Sequence, residues 1–384
     1  MNKKRLLVLI AAVVAIAGLV VAGCAPEAAP PPAEEAPPPE EEEAPPPAVP
    51  EEEVIEWRLQ APFPTGMSLY YGAREVSKYI TEMSAGRLTV KVFPASAIVP
   101  ALKEMHAVHD GVLDAAFTAT HYHTGELGLA GDLFNLWPAG FSPRESMAWI
   151  YEGGGLEFMQ EMYDRKGLNI HEVGPCGFTS AELFGWYNKP MTSLKEFKGL
   201  KFRTAGIWGE MVTEMGGAVV TCPGGEIYQN MERGVLDAFE YSTPGMDWSA
   251  GFHELGVYMH GPGIHAPQSM FELIVNQDRW DELSPELKAI VTHAAEAMTT
   301  RMWAFSEYED TLAMDKLKAY GTEFVYLPED IQNEVVKIAN AKYDKIAAED
   351  PFFAKVLESQ RDFIKKYRDF KAFCQPDPDL MTWE

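Results

Sequence analysis

The sequence predicts an α/β protein of two similar lobes, with one long helix spanning both. Three observations carry this. The chain says nearly the same thing twice: Gly111-Val112-Leu113-Asp114-Ala115 returns as Gly234-Val235-Leu236-Asp237-Ala238. Such an internal repeat implies two copies of one supersecondary unit. Within each half, apolar spacing switches between the strand period and the helix period, which is the βαβ pattern of a largely parallel sheet. Finally, helical spacing runs with little interruption from 287 to about 320, through Val291, Ala294, Ala295, Met298, Met302 and Phe305. A helix of that length spans roughly 50 Å, enough to cross both lobes. Two lobes make a cleft, and polar groups that follow the second copy would border it.

The elements follow in order. Val54, Ile55 and Trp57 sit in a β-prone run over 54–59, ended by the proline and glycine loop 61–66. Ser68 is positioned to cap a helix carrying Ala73, Val76, Ile80 and Met83, closed by Gly86. Leu88, Val90 and Val92 alternate as a strand. A helix with Leu102, Met105 and Val108 ends at Gly111, and 112–118 is the third strand, with an apolar-polar run continuing to His123. A second round opens near His171. It contains a strand at 183–186, a short helix or turn at 192–198, a strand at 200–203, a helix at 208–215, a strand at Val219 and Val220, a helix at 226–233 and the repeated strand. The run 271–275 reads as a buried strand, and Ser284-Pro285-Glu286 as the start of the long helix. Further helices are expected over 328–348 and 352–367. The lobes are expected to comprise 54–175 with 265–300, and 176–264 with 301–384.

The N-terminus reads as a targeting segment. Lys3, Lys4 and Arg5 precede an apolar run over 6–21, then Val21-Ala22-Gly23-Cys24. This pattern over 1–23 is a lipoprotein signal peptide, which leaves Cys24 for lipid attachment. A short transmembrane anchor is the other reading, but the run falls below the roughly 18 residues that argue for a span. Residues 24–53 hold ten glutamates and eleven prolines without an aromatic residue. Such a stretch buries too little apolar surface to fold and reads as an extended stalk. Of the net charge of −25, the stalk's glutamates carry −10 and the leading basic residues +3, leaving −18 on the body. That excludes a nucleic-acid partner. Besides Cys24 there are Cys176, Cys222 and Cys374. Cys176 and Cys222 either pair or remain buried thiols.

Catalysis leaves little trace. There is no Gly-x-Ser-x-Gly, no phosphate-cradling loop and no His-Glu-x-x-His, and Gly153-Gly154-Gly155 lacks the lysine of a nucleotide loop. The chain is therefore not expected to be an enzyme. An exported hydrolase or lyase would need a placed general base. His121 and His123 share a face if they lie on a strand, and with His260 and His265 they offer zinc ligands, although no spacing requires it. Arg203 ends a strand at the entrance to a loop, where open α/β sheets bind ligands. A guanidinium there either grips a carboxylate through two parallel hydrogen bonds or makes a structural ion pair. Glu240 and Tyr241 follow the second repeat strand, and Glu182 opens the strand leading to Trp186. Two carboxylates converging on one cleft repel unless a cation lies between them.

These residues resemble a known family. Phe202-Arg203, Gly216-Gly217-Ala218, Gly225-Glu226-Ile227-Tyr228 and the run from Arg233 to Tyr241 are similar to the substrate-binding proteins of DctP-type tripartite ATP-independent (TRAP) transporters. Ser84-Ala85-Gly86-Arg87-Leu88, Val92-Phe93-Pro94 and the run from Val108 to Asp114 agree in the first half. The branch that binds α-keto acids is the most similar, through Gly185-Trp186-Tyr187, Glu240-Tyr241, Gly261-Pro262-Gly263, His265 and the run from Glu272 to Asn276.

The resemblance implies a periplasmic-binding-protein-like clamp, type II-like. It would close on a small organic acid anion and deliver it to TRAP membrane carrier subunits. The resemblance puts Arg203, Tyr122, Trp186, Glu182 and Tyr241 at the substrate. It puts Glu182, Glu240 and the backbone of Tyr241 at a metal ion, sodium or calcium/magnesium. The ligand it implies is a 2-oxo acid such as pyruvate or a 2-hydroxy acid such as lactate. A dicarboxylate, a sugar acid or zinc are the alternatives. Glu182 departs from the branch's usual glutamine and adds a negative charge, and Ala266 replaces an acidic residue. Lipidated Cys24 would tether the receptor outside the cytoplasm, in the periplasm or at the cell surface, near its carrier. Trp303 and Tyr308 on the long helix either pair two copies as a homodimer or pack against the lobes.

Overall fold

A computed structural model describes residues 54–204, 206–222 and 226–376. The signal, the stalk and Cys24 lie outside them. The first elements are β1 (Ile55–Gln60), α1 (Tyr70–Met83), β2 (Leu88–Phe93), α2 (Glu104–His109) and β3 (Ala115–Thr118). Then come α3 (Thr124–Leu127), α4 (Pro143–Glu152), α5 (Gly155–Asp164) and β4 (Ile170–Phe178). The middle of the chain forms β5 (Gly185–Tyr187), β6 (Lys201–Arg203), α6 (Gly206–Glu214), β7 (Ala218–Val220), α7 (Ile227–Glu232), β8 (Ala238–Phe239), α8 (Pro244–Ser249) and β9 (Tyr258–Gly261). It ends with β10 (Met270–Asn276), α9 (Gln277–Asp281), α10 (Pro285–Tyr320), β11 (Glu323–Tyr326), α11 (Glu329–Glu349) and α12 (Pro351–Cys374).

Two sheets form, in the orders β2-β1-β3-β10-β4 and β11-β9-β5-β8-β6-β7. Both are mixed. In the first, β1 runs parallel to β2 and β3, while β10 is antiparallel to β3 and β4. In the second, β6 runs parallel to β7 and β8, and β5 is antiparallel to β8 and β9. The expected parallel arrangement therefore covers the βαβ portion of each sheet and, in the second, the pair β9 and β11. The antiparallel pairings come from strands that return after long excursions.

The repeat has a shared physical role. Gly111 and Gly234 adopt φ of +70° and +68°, the left-handed conformation that ends a helix and that glycine adopts without strain. The Asp114 carboxylate then accepts from the Arg58 backbone N–H at 2.7 Å, and the Asp237 carboxylate accepts from Lys201 N–H at 3.0 Å. Each aspartate also returns its own N–H to the carbonyl of the same partner, Arg58 or Lys201. One motif thus fixes the register of a parallel strand beside its neighbour in both sheets.

The long helix is present over 36 residues, about 54 Å at 1.5 Å per residue. Its N-terminus is capped as expected, with Ser284 Oγ accepting from Leu287 N–H at 3.2 Å. Val291, Ala294, Ala295, Met298 and Met302 bury into the core of the first sheet, and Leu317 into the core of the second. The helix therefore packs on both. The last helix, α12, packs on α11, α4 and the 3-10 turn at 129–134.

Several local expectations change. Residues 170–178 do not open the second round; they form β4 of the first sheet, because β10 pairs along their full length. The strand after the first repeat stops at Thr118, and 120–123 is a 3-10 turn, so His121 and His123 are not strand neighbours. Thr120 Oγ1 donating to the Gly131 carbonyl at 2.6 Å ties that turn down. The first helix starts at Tyr70 without a side-chain cap from Ser68. Cys176 and Cys222 are buried and free, one in each sheet's core.

Candidate functional site

Strand register brings the acidic groups and the arginine together. β6 and β8 are parallel with Arg203 opposite Phe239, so Glu240, one residue further on, emerges beside Arg203. The Arg203 guanidinium donates from Nη1 to the Glu240 carbonyl at 2.7 Å and from Nε to the Cys222 carbonyl at 3.2 Å. Its Nη1 is also 3.5 Å from the Glu240 carboxylate. No described residue accepts from its second terminal nitrogen, so part of the fork remains for a ligand. Its carbon lies 5.9 Å from the centre of the Tyr241 ring.

A clasp of backbone hydrogen bonds adds the third and fourth groups. Glu182 N–H donates to the Ala266 carbonyl at 3.0 Å, and Leu183 N–H to the Ser242 carbonyl at 2.9 Å. The segments carrying Glu182, Glu240 and His265 are thereby laid side by side. Gly263 lets the loop approach: a Cβ there would sit 1.8 Å from the Glu182 carbonyl oxygen. The Glu182 carboxylate accepts from Ser269 Oγ at 3.2 Å, and its other oxygen is 3.7 Å from His265 Nε2. One ligand atom from each of Glu182, Glu240 and His265 lies within 4.8 Å of the others.

Electrostatics follow from burial. Burial pushes the Glu182 carboxyl well above its usual range, and the Glu240 charge pushes it further. Burial also raises Glu240, with Arg203 opposing. Burial lowers His265 to about 3, so its approach to Glu182 is that of a neutral imidazole and not an ion pair. Two acids and one guanidinium in a sealed pocket leave a deficit of positive charge. Protons fill it when nothing else does, and a cation is the group that displaces them.

Tyr122 arrives from the first sheet, just after β3. Burial pushes its hydroxyl up, and Tyr241 and Glu182 add to the shift, so it lies within electrostatic reach of groups from the second sheet. Trp186 differs from expectation. It is fully buried in the second core, and its only donor is taken by Asp247 at 2.7 Å. It supports the wall and has no polar atom free for a ligand. The alternative zinc set does not assemble: His123 Nε2 bonds Thr118 at 2.9 Å, and His260 Nε2 accepts from Met191 N–H at 2.8 Å. Among the described residues, Glu182, Glu240 and His265 are the metal-compatible group. Sequence reasoning missed Asp247, Ser269 and Glu104. Asp247 is held by burial at about 8. Glu104 is buried at the start of α2, with Gln60 donating to it at 2.9 Å.

Comparison with known proteins identifies the family. The family model described as bacterial extracellular solute-binding protein, family 7 (DctP), matches residues 63–350. The chain belongs to this family. As a DctP-type protein it is an extracytoplasmic solute receptor of TRAP transport, and it is not an enzyme. A monocarboxylate 2-oxoacid-binding periplasmic protein of Nostoc sp. strain PCC 7120 is 30% identical over 81% of this chain and 85% of the relative. A TRAP solute-binding protein from Pseudoalteromonas atlantica T6c, with bound sodium and pyruvate, is 27% identical with a TM-score of 0.78, covering 86% of this chain and 100% of the other. One from Bordetella bronchiseptica RB50, a mixed-occupancy dimer with calcium and picolinate, is 26% identical with a TM-score of 0.78, covering 84% of this chain and 95% of the other. Both structures hold a metal ion together with a small carboxylate, and this DctP-type receptor offers its buried two-acid, one-imidazole set where an ion would fit. No helix among the described residues is long and apolar enough to cross a membrane.

Proposed function

We propose that this receptor binds a small monocarboxylate, a 2-oxo acid such as pyruvate or a 2-hydroxy acid such as lactate, in the cleft between its sheets, together with a metal ion. The observation that carries the reading is Arg203 beside the buried Glu182, Glu240 and His265 cluster. Arg203 grips the ligand carboxylate with its open donors. The ion neutralises the two acids and holds the oxygen next to the carboxylate. Tyr122 and Tyr241 close over the ligand from the two sides, and the Tyr241 backbone completes the metal's shell. The relatives that hold pyruvate or bind 2-oxo acids favour this class.

The mechanism is closure. A ligand that touches both lobes only when they meet shifts the population to the closed form. Asp310 on α10 accepts from Gly245 N–H at 2.7 Å and from the Ser180 hydroxyl, so the long helix holds both the crossover after β4 and the start of α8. A shallow depression beside it is lined by Thr179, Thr243, Met302, Phe305 and Asp310.

Outside the described residues, lipid on Cys24 and the stalk over 24–53 tether the receptor near its TRAP carrier. Tyr308 is 64% exposed on α10 and offers a face for a second copy. Isothermal calorimetry with pyruvate, lactate, malate and glucuronate, with and without metal, tests the reading. Binding of pyruvate or lactate at least tenfold tighter than the others is expected. Selective binding of malate or glucuronate would overturn it.

A further inference from the structure

The neighbours' ions, sodium and calcium, take oxygen ligands. This chain offers nitrogen as well. His265 is 4% exposed, and neither ring nitrogen has a hydrogen-bond partner among the described residues. Its ring is held by packing, with Trp208 at 5.1 Å and Phe184 edge-on at 5.7 Å between centroids. Buried polar atoms are ordinarily paired, so an unpartnered Nε2 facing a buried carboxylate is an open ligand position. Nε2 stands 3.7 Å from a Glu182 oxygen, the spacing of two ligands around one ion about 2.0–2.2 Å from each. Charge points to a divalent ion. Two carboxylates, one guanidinium and one bound monocarboxylate leave a deficit of two positive charges, which a monovalent ion does not fill.

We propose that Glu182, Glu240 and His265 together bind a divalent transition ion of the zinc, cobalt and manganese class in preference to sodium, calcium or magnesium. Imidazole is a ligand suited to that class, and carboxylate with water to the harder ions. His265 is then the residue that sets ion choice, and the ion's remaining positions are open to two oxygens of a 2-oxo or 2-hydroxy acid. The inference rests on the receptor reading above and narrows its metal.

The test uses the full chain stripped by a chelator. Equilibrium dialysis with elemental analysis measures zinc, cobalt, manganese and calcium affinity for the wild type and for His265→Asn, whose amide oxygen suits the harder ions. Cobalt and zinc are expected to bind the wild type at least tenfold more tightly than calcium. The asparagine variant is expected to lose at least tenfold in cobalt affinity while keeping its calcium affinity. The cobalt form of the wild type should show a visible absorption band that moves when pyruvate is added. Calcium binding as tight as cobalt, or cobalt affinity and spectrum unchanged in the variant, overturns the proposal. Retention of cobalt by a Glu182→Gln, Glu240→Gln double variant assigns the ion to surface histidines and also overturns it. The two readings fail separately. Arg203-dependent pyruvate binding with calcium alone sinks the role of His265 and leaves the receptor. A cobalt site that no 2-oxo or 2-hydroxy acid perturbs sinks the ligand class and leaves the metal preference.

Discussion

Arg203 Nη1 lies 2.7 Å from the Glu240 carbonyl oxygen but 3.5 Å from the Glu240 carboxylate. The guanidinium is thus oriented by backbone, with a second carbonyl, that of Cys222, holding Nε. A side chain locked in a bidentate pair with a protein acid would have no fork to give. This one is aimed by carbonyls, and no described residue accepts from its second terminal nitrogen.

Arg203→Ala should therefore weaken pyruvate or lactate binding by tenfold or more. A charge-assisted hydrogen bond contributes on the order of 1.5–3 kcal/mol. Arg203→Lys should fall between, because an ammonium keeps the charge and loses the planar fork. Calorimetry reads the affinity, and circular dichroism checks that the fold survives. Unchanged affinity in the alanine variant would remove Arg203 from the site.

Glu182→Gln removes one buried acid while leaving an oxygen to accept from Ser269, which now donates at 3.2 Å. The fold should hold or gain stability, since a buried carboxyl whose charge burial opposes is replaced by a neutral group. Affinity for a divalent ion should fall at least tenfold. Metal titration of the variant checks this, and wild-type divalent affinity would show that Glu182 is not a ligand.

Gly263→Ala should damage the site without touching any ligand group. The new Cβ would meet the Glu182 carbonyl at 1.8 Å and force the 261–266 loop away from β5. Overpacking of this kind costs about 1–3 kcal/mol or more. Both the melting temperature and the ligand affinity should drop. A variant with lowered melting temperature but normal affinity would separate the loop from the site.

The sequence made the repeat legible because its residues do the same local work in both sheets. The glycines reverse the helix end, and Asp114 and Asp237 clamp the neighbouring strand. The long helix was legible from its cap and its apolar spacing. The positions of Arg203 and Glu240 at neighbouring strand ends were legible from the strand pattern, while their proposed roles came from the family resemblance. What stayed hidden depends on contacts between distant segments. β4 joins the first sheet through β10, about a hundred positions later, and no local pattern encodes that pairing. His121 and His123 mimic strand alternation although they sit in a turn. His265 reaches Glu182 only because the loop after β9 is laid along the 182–184 segment by hydrogen bonds at Glu182 and Phe184. Trp186 matched a motif, but its partner Asp247, which fixes it in the core, carries no signal in sequence.

Stability should depend on pH through a second buried acid pair, away from the ligand site. Glu172 on β4 and Glu272 on β10 are both buried and near enough for their charges to interact, and Tyr163 donates to Glu272 at 2.7 Å. Burial raises Glu272 from 4.5 to about 7, and burial with the Glu272 charge also raises Glu172. A folded-state value above the unfolded one means that the native protein binds more protons through that interval. The contribution of Glu272 is then complete below about 4.5 and is lost as pH rises through about 7. The loss is on the order of a few kcal/mol. Glu272→Gln keeps an acceptor for Tyr163 and cannot ionise. Urea unfolding of both proteins across this range should give a difference curve in which the variant gains relative to wild type as pH rises from 4.5 to 7. A flat difference would mean that the unfolded chain holds the same protons, and the pair would then have no part in the pH response.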